Sequence, residues 1–83
     1  MNKILKMGAS WCAPCRQMEV QLTRLGDQLI TVIEHVDIEN APQLAQKYNI
    51  RSVPTLVKLN AAGEEIGRLT GSLTDAKLLD FAL

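Results

Sequence analysis

Two cysteines three positions apart, in the segment Cys12-Ala13-Pro14-Cys15, are the whole cysteine content of this 83-residue chain. In a reducing compartment that spacing points to redox chemistry or to half of a metal site. The segment lies between a strand-like run and a helical pattern, so Cys12 falls at or just before a first helical turn. Unpaired backbone N–H groups and the helix dipole favour an anion there. The Cys12 thiolate is therefore expected to form more easily than that of a free cysteine. Pro14 suits the first turn, where a missing N–H costs little. Cys15 lies one turn in, on a stripe with Met18 and Leu22, and is expected to be shielded. The asymmetry assigns roles: Cys12 attacks a substrate disulfide, and Cys15 then attacks the mixed disulfide and releases reduced product.

Zinc is the competing chemistry. Four-coordinate zinc needs two more ligands, and His35 is the one other good candidate in the sequence. Asp and Glu are less usual in structural sites, and a metal shared between two chains is a variant of the same idea. A purely structural disulfide is disfavoured because so short a loop removes little chain entropy.

The elements that must hold the cysteines follow from pattern. Lys3 to Met7 reads as a strand running into Gly8. Pro14 to Leu25 reads as a helix, with Cys15, Met18, Leu22 and Leu25 on one face and Gly26 as the stop. Leu29 to Ile38, rich in β-branched residues, reads as a second strand. Asn40, with Pro42 and Gln43 after it, reads as the N-cap of a second helix that buries Leu44 and Tyr48 and ends near Asn49. A strand from about Thr55 to Leu59, a turn at Asn60-Ala61-Ala62-Gly63 and a strand from Glu65 to Thr70 form a hairpin. A last helix begins near Ser72 or Thr74, with Asp75 in its first turn. The order β-α-β-α-β-β-α implies an α/β domain with a right-handed crossover, a parallel pair and a closing antiparallel hairpin. That is a four-stranded mixed sheet, with the first and third helices on one face and the second on the other.

Composition bounds the alternatives. Eighty-three residues form one domain, residues 1–83. The chain is 47% apolar with three aromatics, Trp11, Tyr48 and Phe81, so its core is small and aliphatic. Nine basic residues balance nine acidic ones, which argues against nucleic-acid binding by counterion release. No apolar run has the length of a membrane span, and Lys6 interrupts any stretch of signal-peptide length. The expectation is a cytoplasmic monomer with no nucleic-acid or membrane partner.

Several ordered segments carry a family resemblance. Trp11-Cys12-Ala13-Pro14-Cys15 resembles the thioredoxin active-site segment, usually Trp-Cys-Gly-Pro-Cys. Val36-Asp37-Ile38-Glu39-Asn40, then Lys47-Tyr48-Asn49-Ile50-Arg51-Ser52-Val53-Pro54-Thr55, then Gly63 and Gly71 resemble the rest of that family's signature in order, from about Lys3 to Phe81. The resemblance implies a minimal thioredoxin fold and a redox-active Cys12–Cys15 disulfide with no bound cofactor. It implies a cis Pro54 facing the cysteine pair and Val53 offering backbone to an extended substrate. It also implies a docking surface of Trp11, Ala13, Pro14, Val53, Pro54, Gly71 and Ser72. Disulfide-bearing proteins, such as ribonucleotide reductase, would be substrates, with electrons from NADPH through a thioredoxin reductase. Length alone suggests, as the alternative, a glutaredoxin-like protein that uses glutathione. Against it, Trp11 and the Ala13-Pro14 pair resemble thioredoxin. A third reading is a thioredoxin-fold binding module whose cysteines are secondary.

Three departures from the family stand out. The chain starts at the strand before the cysteines, without the first strand and helix of a full-length thioredoxin. Ala13 replaces the usual glycine, at a place that influences redox poise. Lys6 stands on the face of Ile4 and Gly8, where the family usually has a buried aspartate that moves protons for the second cysteine. A lysine in a central, mostly apolar strand either snorkels to water or forms a structural pair, or it stabilises a thiolate. In the last case His35 or Asp37, which share a face of the adjoining strand, takes the proton-shuttle role; Glu34 is a further neighbour.

Overall fold

The computed structural model describes residues 1–83. Alternating faces explain the central strand β1 (Lys3–Gly8), in which Ile4 and Lys6 look one way and Leu5 and Met7 the other. Strand β2 (Val32–Asp37) runs parallel to β1, with Lys6 opposite His35. Strand β3 (Thr55–Leu59) is antiparallel to β1, with Lys6 opposite Leu56. Strand β4 (Glu65–Thr70) closes the hairpin on β3. The sheet order is β2-β1-β3-β4, the four-stranded mixed sheet that the sequence implies.

Helices α1 (Ala13–Arg24) and α3 (Asp75–Phe81) cover one face. Ile4 and Leu56 of the sheet meet Met18, Leu22 and Leu25 from the first helical segment and Leu78 and Ala82 from the last. Helix α2 (Pro42–Lys47) lies on the other face, where Leu5, Met7, Val36, Val57 and Leu59 pack with Tyr48 and Leu44. No helix is long and apolar enough to cross a membrane.

Three boundaries differ from the sequence expectation. The second strand starts at Val32 rather than Leu29; its pairing begins there, with Val32 opposite Lys3, the first residue of β1. Gly26–Gln28 instead forms a 3₁₀ turn, so Gly26 opens a turn rather than capping α1, which ends on Leu25. The second helix is capped by Ala41, not Asn40. Pro42 occupies the first helical turn and excludes the preceding residue from the helical region, so Ala41 takes φ −131° and ψ 60°. Asp37 organises this approach: its Oδ1 accepts from the Glu39 N–H, and its carbonyl accepts from the N–H groups of Asn40 and Ala41. At the far end, Tyr48 caps α2 and Asn49 adopts φ 52°. There the Ile50 N–H donates to the Ala45 carbonyl, a left-handed helix ending.

Helix α3 is fixed twice. Thr74 caps it by accepting from the Lys77 N–H. Asp75, in its first turn, accepts both Arg24 guanidinium nitrogens at 2.9 Å and Gln21 Nε2 at 2.8 Å, which ties it to α1. The Arg24 hydrogen bonds, then that of Gln21, pull the Asp75 carboxyl down from the usual 3.8 to about 2. Such a lowered pKa makes a contribution that is complete above the unfolded value and lost as pH falls through the folded one. Thermal melts between pH 4 and pH 2 should therefore fall less steeply for Asp75→Asn than for the parent, with the two curves converging at the acid end. In the core, Leu56→Ala removes a fully buried side chain beneath α1 and α3. Denaturant unfolding should show it less stable by about 2–5 kcal/mol.

Candidate active site

The chain leaving β1 turns at once into α1. The Cys12 N–H donates to the Ala9 carbonyl at 3.1 Å, and the Arg16 N–H donates to the Cys12 carbonyl at 3.2 Å. The Arg16 guanidinium folds back to donate to the Ser10 carbonyl at 2.7 Å, and the Ser10 hydroxyl donates to Glu39. Cys12 is the N-cap residue of α1, with extended backbone, and its sulfur accepts from the Cys15 N–H at 3.1 Å. This is one of the free N–H groups that every helix start presents. Cys12 and Cys15 are joined as a disulfide, with Cα atoms 5.2 Å apart. The two sulfurs that a zinc site would need as ligands are thus bonded to each other. No group of three or more His, Cys, Asp or Glu side chains is placed to hold a metal ion.

Burial separates the cysteines less than the sequence implies. Cys12 is 4% exposed and Cys15 2%, and with Ala9 they form a small apolar cluster against Ile38 and Val53. Their difference is positional. Cys12 Sγ stands at the mouth of the helix and accepts a backbone N–H, an arrangement that favours its anionic form, whereas Cys15 lies within the first turn.

Around this pair the structure gathers residues from three loops. Trp11, immediately before Cys12, is 66% exposed, which excludes a role as a core plug. Ala13 and Pro14 are exposed on the first turn of α1. Val53 packs on the cysteine cluster. The Val53–Pro54 peptide bond is cis, and Pro54 is buried. The Pro54 carbonyl accepts from the Gly71 N–H at 2.8 Å, linking the loop before β3 to the one after β4. Gly71 has φ 88°, a conformation that favours glycine. Ser72 follows it, exposed.

Lys6 is 2% exposed, so it does not snorkel to water. Its ammonium donates to Glu19 Oε1 of α1 at 2.9 Å. Lys6 forms a structural pair, and of its possible neighbours His35, Asp37 and Glu34 none bonds to the ammonium. His35 is opposite Lys6 in register, yet it is exposed and lines the same open cleft without bonding to the ammonium. The Asp37 carboxylate is taken up by the turn before α2, and Glu34 pairs with Lys3 at the far end of the strand pair. Sequence reasoning missed Glu19. Its signal was the spacing, since Glu19 follows Cys15 by four residues and so shares its helix face. The hydrogen bond from Lys6, then the ammonium's charge, holds the Glu19 carboxyl below its usual range.

A thioredoxin family model matches residues 2–83, and the chain belongs to the thioredoxin family. It is 33% identical over 76 residues to thioredoxin C-3 of Corynebacterium nephridii, an alignment covering 90% of this chain and 52% of that protein. It is 35% identical over 77 residues to thioredoxin H2 of Arabidopsis thaliana, covering 89% and 57%. The chain thus spans little more than half the length of these relatives. Among solved structures, an N21Q mutant thioredoxin from Halobacterium salinarum superposes with a TM-score of 0.86 at 30% identity, covering 98% of this chain and 71% of that one.

The Lys6–Glu19 geometry predicts an asymmetric response of stability to mutation. Glu19→Ala leaves a buried ammonium without an acceptor and should cost roughly 1–3 kcal/mol in denaturant unfolding, below the figure for a fully buried pair because Glu19 is half in water. Lys6→Met removes the charge and keeps the volume, and should be neutral or stabilising in the same measurement.

Proposed function

We propose that this chain is a dithiol–disulfide oxidoreductase that reduces disulfide bonds of other proteins. The single observation that carries the reading is the Cys12–Cys15 disulfide at the N-terminus of α1, with the Cys12 sulfur on a free backbone N–H. In the reduced protein, Cys12 thiolate attacks one sulfur of the substrate disulfide. The S–S bond breaks, the other substrate sulfur leaves as thiolate and takes a proton from water, and a mixed disulfide remains on Cys12. Cys15 then attacks Cys12 Sγ and expels the second substrate sulfur, so the substrate gains two electrons and the protein returns to its disulfide form. An external dithiol donor must restore the reduced state. Family membership supports a thioredoxin reductase drawing on NADPH in that role, and a reducing compartment such as the cytoplasm as the setting.

Substrate docking falls to the exposed Trp11, to Ala13 and Pro14, to the backbone of Val53 beside Pro54, and to Gly71 and Ser72. These lie on the three loops that surround the disulfide, and the Gly71–Pro54 hydrogen bond holds two of those loops together. An extended substrate segment fits a surface that offers backbone groups around a reactive sulfur.

An insulin reduction assay with either a thioredoxin reductase or glutathione as donor tests the reading and separates the two electron sources. Turnover by the wild-type chain is expected with the reductase; no turnover with either donor overturns the assignment as a reductase. Cys15→Ser should lose turnover and accumulate a mixed disulfide through Cys12, identified by mass spectrometry; a trap that forms only through Cys15, in Cys12→Ser, would reverse the roles. Trp11→Ala should lower kcat/KM about tenfold, the equivalent of ~1.4 kcal/mol of transition-state stabilisation, while its unfolding free energy stays within about 0.5 kcal/mol of the parent.

A further inference from the structure

We propose that the buried Lys6 ammonium acts on Cys15, stabilising its thiolate, and that Glu19 sets the strength of this effect by competing for the same ammonium. The proposal rests on the reading of Cys15 as the resolving cysteine and adds the electrostatic partner that such a cysteine needs.

Geometry brings the groups together. Gly8 lacks a side chain where β1 meets α1. A Cβ built there would lie 3.4 Å from Lys6 Nζ and 3.5 Å from both Cβ and Sγ of Cys15. The ammonium and the sulfur thus flank one small space and are no further apart than those two distances added. Glu19 sits one helical turn beyond Cys15 on α1 and takes the ammonium at 2.9 Å. Lys6 therefore lies beside both an anion that is always present near neutral pH and a sulfur that becomes anionic only after reduction.

The other charged or titratable groups lining this cleft are Arg16, Asp37 and His35. Arg16 of α1 donates to the Ser10 carbonyl. Asp37 of β2 holds the turn before α2, and His35 of β2 is exposed. Strand β3 presents Leu56 opposite Lys6, which does not titrate. Cys12 is the remaining titratable neighbour, and it has the Cys15 N–H at its own sulfur. Lys6 is the buried cation of the cluster, and a cation screened from water acts strongly on a nearby thiol.

In the oxidised protein the ammonium donates to Glu19. After Cys12 has formed a mixed disulfide, the Cys15 thiol must give its proton to water, and the resulting thiolate attacks Cys12 Sγ while the substrate sulfur leaves with the electron pair. Lys6 takes no part in the proton transfer. Its charge lowers the cost of the Cys15 anion, and the Glu19 carboxylate offsets part of that charge.

The test is the titration of each cysteine in the fully reduced protein, followed by NMR of ¹³Cβ-labelled cysteine, in the parent, Lys6→Met and Glu19→Gln. Gln keeps an acceptor for the ammonium while removing the negative charge. Lys6→Met should raise the Cys15 pKa by about one unit or more, with a smaller change at Cys12. Glu19→Gln should move Cys15 the opposite way. A structural role alone would move Cys15 in the same direction in both variants or in neither, and either result overturns the proposal. A larger shift at Cys12 than at Cys15 in Lys6→Met overturns it too. Insulin reduction by the parent chain is scored separately, so a failure of the reductase reading is distinguishable from a failure of this one.

Discussion

Lys6 of β1 and Cys15 of α1 come together beside Gly8, where a Cβ would stand 3.4 Å from the Lys6 Nζ and 3.5 Å from the Cys15 Sγ. The rest of the site is arranged around that meeting point. Helix α1 packs on the sheet next to it through Met18 and Leu22 against Ile4 and Leu56. Cys12 is the helix cap, and the Cys15 N–H is aimed at the Cys12 sulfur. Lys6 lies under α1, where the ammonium finds Glu19.

Apolar packing flanks this meeting point. The face of β1 that carries Lys6 also carries Ile4, which anchors the larger cluster with Met18, Leu22 and Leu78. Lys6 therefore sits at the boundary between an apolar core and the redox pair. A buried ammonium in such a place is tolerated only with a partner, and Glu19 supplies one from the half-exposed face of α1. Local charge is arranged with similar economy elsewhere. Asp75 ties α3 to α1 through Arg24 and Gln21, and Arg68 bridges Glu65 and the Tyr48 carbonyl.

Much of this is legible in the sequence. The order of elements, the side of the sheet each helix covers and the cap position of Cys12 all follow from periodicities of two and 3.6 and from the punctuation of Pro14, Asn49 and Thr74. The differences are local. Leu29 to Thr31 has strand-like composition, but the pairing with β1 begins at Val32. Asn40 has the right chemistry for a cap, but Pro42 moves the cap to Ala41. Cys12 was expected to be clearly less shielded than Cys15, yet as a disulfide the two are almost equally buried.

By itself the sequence determined what depends on near neighbours: the Cys-x-x-Cys pair at a helix start, the strand and helix pattern and the anomaly of a lysine in a central strand. These are set by dihedral preferences and spacing over a few residues, which a linear chain states outright. Only the tertiary structure decided which acid meets Lys6. Glu34, His35 and Asp37 are the neighbours that strand pairing suggests, and the choice of Glu19 instead depends on how α1 lies across β1. It likewise decided that Gly71 would hydrogen-bond Pro54 and bring two distant loops to the disulfide. Contacts between elements are fixed by packing angle and register, which emerge when the sheet and helices close on a common core and cannot be assigned to any one segment.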